Sequence, residues 1–307
     1  MSAQRQLWPD GPAAPVTTPF LPGGHDIDHD SLAANVKRNA AAGLHIVILG
    51  TTGEASHLRQ DERKAAVATA RRALDQAGFG NAPLLAGTGG YFSYAMKDDR
   101  TAIRMFFEQV MDASPLPVMV YNFPGAAAGI DLNSDDISFL ANHPNCFGVK
   151  LTCASIGKGK SQQYTSPEYL AKKGSSLRES TVSGQFLTLT GLSDYLLPAL
   201  AVGHAGCIAS SGGLFPKTLR RLYDTSVAGL NGDDQALDEA KKLQIRVARS
   251  DAIVCGSGIQ GTKFLLDHFV APRLGGDWRL PLGSLKEETK QALIEGLTDD
   301  WKYEQSL

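Results

Sequence analysis

The sequence predicts an α/β protein, a TIM (β/α)8-type barrel with a C-terminal helical region, and three observations support this fold class. Short runs of Val, Ile and Leu are continuous rather than alternating, as in strands that a parallel sheet buries on both faces. Amphipathic helices are predicted between most of these runs, which implies right-handed βαβ units. About seven such repeats favour a closed barrel over an open sheet, and 307 residues are enough to build one.

Local patterns predict each element of this barrel. The predicted strands are Ala14–Thr17, His45–Leu49, Pro83–Ala86, Pro117–Tyr121, Phe147–Leu151, Phe186–Thr190 and Ala205–Ala209. The helices predicted between them span residues 60–77, 98–112 and 133–142. The first of these helices repeats apolar side chains at helical spacing, and Asn133 is a good N-cap for the third.

Beyond Phe215 the strand pattern ends and helical patterns continue. The predicted helices span residues 216–229, 234–249, 257–269 and 286–297, separated by turn-forming residues. We therefore divide the chain into a barrel, residues 1–229, and a C-terminal helical region, residues 230–307. Residues 157–183 are rich in Ser, Gly and Lys and are predicted to form a loop.

Charge and composition argue against several classes of partner. Thirty Lys and Arg residues stand against 32 Asp and Glu, so the basic excess of a nucleic-acid-binding protein is not found. No apolar run approaches the roughly 20 residues that span a bilayer, and the N-terminal stretch has no secretory or clear organellar pattern. The four cysteines are not in CxxC spacing, which is typical of reduced thiols inside cells. We expect a cytoplasmic protein with no nucleic-acid or membrane partner.

Motifs for cofactors and metals are also missing from the sequence. Gly87-Thr88-Gly89-Gly90 has no Walker lysine, and no GxGxxG sequence opens a helix. The histidines form no HxxxH or HExxH pair. We expect no cofactor and no metal ion.

Three polar segments follow predicted strands, where the functional groups of a barrel lie. They are GTTGE (Gly50–Glu54), YNFPG (Tyr121–Gly125) and the end of FGVKLT (Phe147–Thr152), which contains Lys150. A lysine in an apolar strand loses hydration unless it is paired or neutral, and burial lowers the pKa of an amine. Because a neutral amine attacks ketones to form a Schiff base, Lys150 is the leading candidate nucleophile. The alternative is a strand-end lysine that reaches out to water.

The other two segments offer a proton carrier and an anion-binding turn. Tyr121 ends an apolar strand with a phenol, which can donate and accept protons. The alternative is a core tyrosine whose hydroxyl is simply hydrogen-bonded. Thr51 and Thr52 place hydroxyl and backbone N–H groups between Gly50 and Gly53, an arrangement suited to a carboxylate. A plain strand-to-helix turn is also consistent with this segment.

GTTGE, YNFPG and GVKLT, in this order and after successive strands, resemble the dihydrodipicolinate synthase / N-acetylneuraminate lyase family of class I aldolases. The resemblance runs from Val16-Thr17-Thr18-Pro19-Phe20 to Gly261-Thr262-Lys263-Phe264. It implies a (β/α)8 barrel with C-terminal helices that binds pyruvate, or the pyruvoyl half of a 2-keto acid, as a Schiff base. It also implies a homo-oligomer, either a dimer or a tetramer built as a dimer of dimers.

The resemblance also implies roles for individual residues. The implied catalytic residues are Lys150, Tyr121, Thr51 and Tyr91, and the implied substrate-binding residues are Thr52, Gly50, Gly53 and Ile208. Lys150 would form the Schiff base and Tyr121 would move protons beside it. Tyr91 would complete the proton relay across a dimer interface.

The segment after YNFPG indicates which substrates to expect. In the lysine-pathway synthases of the family, an arginine two positions after the YNxP motif clamps the carboxylate of aspartate semialdehyde. Here that position is Ala126, which cannot replace a bidentate guanidinium. We expect instead reversible aldol cleavage of a 2-keto-3-deoxy sugar acid or of 4-hydroxy-2-oxoglutarate. The alternatives are dihydrodipicolinate synthase activity and an impaired family member that only binds a 2-keto acid.

The number of strands is a second departure from the family pattern. Family members have a helix and a fourth strand, α3–β4, between the glycine-rich motif and the second tyrosine. Here Gly89 precedes Tyr91 by two positions, and such a unit needs on the order of 20–25 residues. The sequence therefore predicts seven strands rather than eight, with one βα unit missing.

Overall fold

The computed structural model describes residues 8–88, 96, 99–159 and 186–307. The chain divides into two units. Unit 1 consists of residues 1–10, 90–191 and 198–207, and unit 2 consists of residues 11–89, 192–197 and 208–307.

Strands and helices alternate along the described chain. In chain order they are β1 (Gly11–Pro15), α1 (His29–Ala41), β2 (His45–Ile48), α2 (Gln60–Gln76), β3 (Leu84–Ala86), α3 (Arg100–Ala113), β4 (Val118–Asn122), α4 (Ser134–Ala141), β5 (Cys146–Leu151), β6 (Leu187–Thr190), α5 (Leu196–Ala201), β7 (Gly206–Ile208), α6 (Ser211–Leu214), α7 (Pro216–Leu230), α8 (Asp234–Gly256), α9 (Gly258–Leu265) and α10 (Glu287–Ser306). Short 3-10 turns span Ala55–His57, Pro124–Ala126 and Gly157–Gly159, and a π-helical turn spans Leu266–Val270.

Parallel pairing joins the strands within each unit. In unit 2, β2 lies between β1 and β3, with Ala13 opposite His45 and Ile46 opposite Leu84. In unit 1, β4, β5, β6 and β7 pair in that order, all parallel. The described residues thus contain seven strands, as the sequence predicts, and each of the seven predicted runs contains or overlaps one of them.

A hydrophobic core stabilises each unit. In unit 2, Ile46 and Ile48 of β2 belong to a cluster with apolar residues of α1 and α2, including Leu32, Val36 and Leu74. In unit 1, Val149 and Leu151 of β5 belong to a cluster with apolar residues of α3 and α4. Burial of this kind is the main favourable contribution to folding.

The C-terminal helices are longer than the sequence analysis predicts. Helix α8 continues from the predicted end at residue 249 to Gly256, and α10 continues from residue 297 to Ser306. Both extensions retain a buried face, because Val254 packs in the core with Leu293 and Leu297 and Glu304 is also buried. Polar residues in these last turns do not end a helix while one face remains packed.

Helix α1 has no counterpart among the helices that the sequence analysis names. Its N-cap is Asp28, whose carboxylate accepts a hydrogen bond from Ser31 N–H. Leu32, Val36 and Ala40 follow at a spacing of four and are buried. This spacing is typical of a helix, but it is a weak signal when only a few residues are compared at a time. The predicted N-cap of α4 is confirmed, since Asn133 Oδ1 accepts from Asp136 N–H at 2.9 Å.

No helix in the described ranges is both long enough and apolar enough to cross a membrane. The predicted loop over residues 157–183 begins with the 3-10 turn Gly157–Gly159, and its remainder lies outside the described residues.

Candidate active site

Lys150 and Tyr121 lie opposite each other on neighbouring strands of unit 1. The pairing of β4 with β5 puts the two residues in register, and the Lys150 amine lies 4.3 Å from the centre of the Tyr121 ring. Lys150 is half-buried between Val149 and Leu151, which are buried, and Tyr121 is 36% exposed. A cation over an aromatic face is attracted by the ring quadrupole. The two side chains that the sequence singles out as nucleophile and phenol are therefore in contact.

The strand end beside Tyr121 is fixed by the next residue, Asn122. Its buried side-chain amide donates to Asp131 Oδ1 at 2.9 Å, and its side-chain carbonyl accepts from Leu132 N–H at 3.1 Å. Its backbone carbonyl accepts from Thr152 N–H at 2.9 Å, which ties the ends of β4 and β5 together. Tyr121 thus projects from a backbone with little freedom to shift.

Two glycines allow close approach of the backbone on either side of Lys150. A Cβ atom at Gly148 would lie 2.6 Å from the Leu187 carbonyl oxygen, and one at Gly191 would lie 1.9 Å from Thr152 Oγ1. Larger residues at either position would push β5 and β6 apart. The buried Thr152 hydroxyl has no hydrogen-bond partner among the described residues.

The GTTGE loop follows β2 in unit 2 and folds back on itself. Gly53 N–H donates to the Gly50 carbonyl at 3.1 Å, and Thr18 Oγ1 donates to the Gly53 carbonyl at 2.7 Å. A Cβ atom at Gly53 would lie 3.0 Å from Leu49 N. Leu49 itself has a left-handed φ of 57°, which costs free energy for a residue with a side chain. The loop conformation is therefore set by close backbone contacts.

The predicted carboxylate-binding threonines differ in exposure. Thr51 is exposed, whereas Thr52 is half-buried and its Oγ1 lies 3.3 Å from Ser210 Oγ. Ile208 ends β7 as a buried residue, and Ser210 follows it by two positions. Ser210 was not among the predicted site residues. The signal that could have found it is a pair of serines directly after a buried strand.

Glu54, the last residue of the loop, forms a fully buried ion pair with Lys263 of α9. Lys263 Nζ also donates to the Asp277 carbonyl at 2.7 Å and lies 4.6 Å from the centre of the Phe20 ring. Burial lowers the pKa of Lys263 more than the nearby Glu54 raises it. Glu54 and Lys263 lie in separate motifs, 209 positions apart in the chain. Their contact therefore could not be predicted from the sequence.

Tyr91 lies outside the described residues. Within the described ranges, no group of three or more His, Cys, Asp or Glu side chains is placed to hold a metal ion. Gly50 is half-buried and Gly53 is buried in the loop that carries the two threonines.

Parallel βα units with polar side chains at the carboxyl ends of their strands define an α/β-barrel enzyme. The model of the Dihydrodipicolinate synthetase family matches residues 9–98 and 92–299, and the chain belongs to this family. The two matched stretches overlap at residues 92–98, beside the position of the predicted missing unit.

Relatives with known names agree with this assignment. L-threo-3-deoxy-hexylosonate aldolase of Aspergillus niger is 31% identical over 97% of this chain and 96% of its own length. A protein of Emericella nidulans named "Probable 4-hydroxy-2-oxoglutarate aldolase, mitochondrial" is 32% identical over 95% of both chains. The alignment with the Aspergillus niger aldolase spans 332 positions although this chain has 307 residues, so at least 25 positions have no counterpart here.

The fold is that of the same family. The crystal structure of a dihydrodipicolinate synthase family protein from Coccidioides immitis superimposes with a TM-score of 0.77, at 30% identity and over 99% of both chains. The predicted fold class, a TIM-barrel-type α/β fold with C-terminal helices, is confirmed.

Proposed function

We propose that this protein is a class I aldolase that reversibly cleaves a 2-keto-3-deoxy sugar acid or 4-hydroxy-2-oxoglutarate through a Schiff base on Lys150. The observation that supports this most directly is the contact of the Lys150 amine with Tyr121 at the ends of adjacent strands. The substrate class follows the names of the Aspergillus niger and Emericella nidulans relatives.

In this mechanism the Lys150 amine attacks the 2-oxo carbon of the substrate and forms a carbinolamine. Tyr121, helped by Thr51, moves protons so that water leaves and a protonated imine forms. The C4 hydroxyl of the substrate then gives its proton to the Tyr121 phenolate, and the electron pair of the C3–C4 bond moves into the imine. The bond breaks to give an aldehyde and an enamine of pyruvate or of a related keto acid. Protonation of the enamine and hydrolysis of the imine return the free lysine.

The remaining predicted residues bind the 2-keto acid and complete the relay. Thr52, together with Thr51, holds the carboxylate through hydroxyl and backbone N–H donors, and Gly50 and Gly53 shape the turn that carries them. Ile208 supplies an apolar wall, and Tyr91 is the second tyrosine of the proton relay. No step in this scheme uses a cofactor or a metal ion.

The two alternatives to this aldolase are a dihydrodipicolinate synthase and an impaired family member. Ala126 lies in the 3-10 turn Pro124–Ala126 and offers no charged donor to a second carboxylate, which argues against dihydrodipicolinate synthase activity. The seven strands of the described chain favour a second candidate, an impaired family member that binds a 2-keto acid without releasing an aldehyde. Coupled detection of pyruvate released from a panel of 2-keto-3-deoxy acids distinguishes this candidate from an active aldolase.

The proposal extends to the oligomeric state, the place in the cell and the two regions of the chain. We propose a homo-oligomer, either dimer or tetramer, in the cytoplasm, with a small-molecule 2-keto acid as its partner. We further propose that residues 1–229 form the catalytic barrel and residues 230–307 a supporting helical region.

Borohydride trapping tests the function. We expect incubation with pyruvate followed by reduction to leave one covalent adduct on Lys150, identified by peptide mass spectrometry. Lys150→Ala is expected to lose the adduct and at least about 1,000-fold in turnover, because no other group replaces the covalent intermediate. Lys241→Ala, at an exposed position of α8, is the control and is expected to keep both the adduct and the turnover. Full turnover by Lys150→Ala would refute the mechanism.

A further inference from the structure

Lys263 occupies a position that is costly for a charged side chain. Its side chain and that of Glu54 are both fully buried, and an ammonium without a partner would be strongly disfavoured there. The backbone around Lys263 is closely packed, since a Cβ atom at Gly275 would lie 2.1 Å from the Lys263 carbonyl oxygen. Lys263 therefore cannot move away from Glu54 without displacing its neighbours.

Glu54 depends on this pair for its conformation. Its φ is 52°, the left-handed region that residues with side chains rarely adopt. Its carboxylate is held by Lys263, by His57 Nδ1 at 3.2 Å and by Arg279 N–H at 3.3 Å. Of these three partners, Lys263 is the most deeply buried.

The conformation of Glu54 is transmitted directly to the threonines of the loop. Glu54 N–H donates to the Thr51 carbonyl at 3.0 Å. On the opposite side the loop is confined, because a Cβ atom at Gly87 would lie 2.2 Å from the Leu49 carbonyl oxygen. Movement of Glu54 would thus be taken up by Thr51 and Thr52 rather than by the strand before them.

We propose that Lys263 is a positioning residue that holds Thr51 and Thr52 in their carboxylate-binding arrangement by anchoring Glu54. This inference rests on the proposed function, in which these threonines hold the carboxylate of the 2-keto acid. Lys263 touches no reacting atom in this scheme. It links the C-terminal helices to substrate affinity.

The test compares Lys263→Met with Arg246→Met, each of which removes the cationic partner of a buried carboxylate in unit 2. Arg246 of α8 pairs with the buried Asp300 of α10 at 2.6 Å, away from the loop. For Lys263→Met we expect the pyruvate concentration for half-maximal borohydride trapping to rise at least about tenfold, since small misplacements of binding groups are costly. The final yield of adduct on Lys150 at saturating pyruvate is expected to stay the same. Arg246→Met is expected to lower the melting temperature without changing either value.

Hydrogen exchange of the peptide that covers residues 50–58 gives a second, substrate-free reading. We expect its amides to exchange at least about tenfold faster in Lys263→Met than in the wild type and in Arg246→Met, because local opening is easier without the anchor. If the wild type forms no adduct while this difference is present, the proposed function fails and the anchoring role stands. Unchanged exchange and unchanged half-saturation in folded Lys263→Met would overturn the inference.

If Lys263→Met does not fold, Glu54→Gln replaces it in both measurements. The amide keeps the length of the side chain and one acceptor for Lys263 but removes the negative charge. We expect the same two changes in the same direction, by about threefold or more, because an amide oxygen holds the Lys263 side chain more weakly than a carboxylate does. Wild-type behaviour of Glu54→Gln in both measurements would also overturn the inference.

Discussion

Arg279 and Glu62 show how one ion pair can fix several backbone segments. The two guanidinium N–H groups of Arg279 contact the Glu62 carboxylate at 2.6 and 2.8 Å, a bidentate geometry. Arg279 also donates to the carbonyls of Gly24 and His57 and lies 4.4 Å from the centre of the Phe20 ring. Glu62 additionally accepts from Arg59 N–H at the start of α2. The pair therefore joins the N-terminal turns of unit 2 to a segment 217 positions later.

This pair predicts a specific dependence of stability on pH. The hydrogen bonds from Arg279 hold the pKa of Glu62 below its ordinary value of 4.5. A carboxylate whose pKa is lowered on folding stabilises the fold fully above its unfolded-state pKa, and this stabilisation is lost as the pH falls through the folded-state pKa. We expect the free energy of unfolding to fall below pH 4.5, and Glu62→Gln to show a shallower fall, measured by urea unfolding.

A matched substitution separates this effect from general acid unfolding. Glu287 also lies in the first turn of a helix and faces an ion-pair partner, but its side chain is 84% exposed. Glu287→Gln is expected to leave the pH profile unchanged, because exposed pairs contribute little. An identical profile for wild type and Glu62→Gln would contradict the assignment.

At the scale of elements, α10 supplies the N-cap of α7. The first backbone N–H groups of a helix have no partner inside the helix. In α7, the N–H groups of Lys217 and Thr218 donate to Glu304 at 3.0 and 2.8 Å, and Thr218 Oγ1 donates to the same carboxylate. The negative charge also lies at the positive end of the helix dipole. Glu304 thus completes a helix that begins at Pro216, 88 residues before it in the chain.

Removal of this cap is expected to destabilise the fold. We predict that Glu304→Ala lowers the free energy of unfolding by about 2–3 kcal/mol, because buried N–H groups and a hydroxyl lose a charged acceptor. Urea unfolding followed by circular dichroism measures this. Glu295→Ala, on an exposed position of the same helix, is the control and is expected to change little. A loss below about 0.5 kcal/mol in Glu304→Ala would argue against the capping role.

At the scale of the whole molecule, two strands, β3 and β4, are less buried than the other strands of their units. Strands of parallel sheets are usually buried on both faces, as every residue of β1 is here. In β3, by contrast, Leu84 and Leu85 are half-buried and Ala86 is exposed. In β4, Val118 and Met119 are half-buried and Tyr121 is exposed. These are the outermost strands of their units, β3 in unit 2 and β4 in unit 1.

We expect restoration of the missing unit to stabilise the protein. The insert is the matching segment of the Aspergillus niger aldolase, placed between Gly89 and Tyr91 of this chain. It should raise the melting temperature by more than about 4 °C, because β3 and β4 gain neighbours that exclude water. Scanning calorimetry measures the change, and light scattering monitors aggregation from open strand edges. A Gly/Ser insert of equal length is the control. If the insertion variant and the wild type melt at the same temperature, the exposure of β3 and β4 costs the protein little stability.

Much of the fold and part of the candidate site could be predicted from sequence. The strands around Lys150 and Tyr121 are marked by continuous apolar runs, a pattern that arises because both faces of the strand are buried. When these two strands pair in parallel, their register puts Lys150 opposite Tyr121. The contact of Thr52 with Ser210 could not be predicted, because it depends on how two loops far apart in the chain are placed.

The sequence by itself determined the order of the seven strands that the described residues contain and the strand positions of Lys150 and Tyr121, since burial periodicity and turn chemistry are local properties. Only the tertiary structure decided that Glu54 is anchored by Lys263, that Glu62 is clamped by Arg279 and that Glu304 caps α7. Each of these contacts joins a carboxylate to a partner 86 to 217 positions away in the chain. Their strength depends on burial and distance, which exist only once the chain has folded.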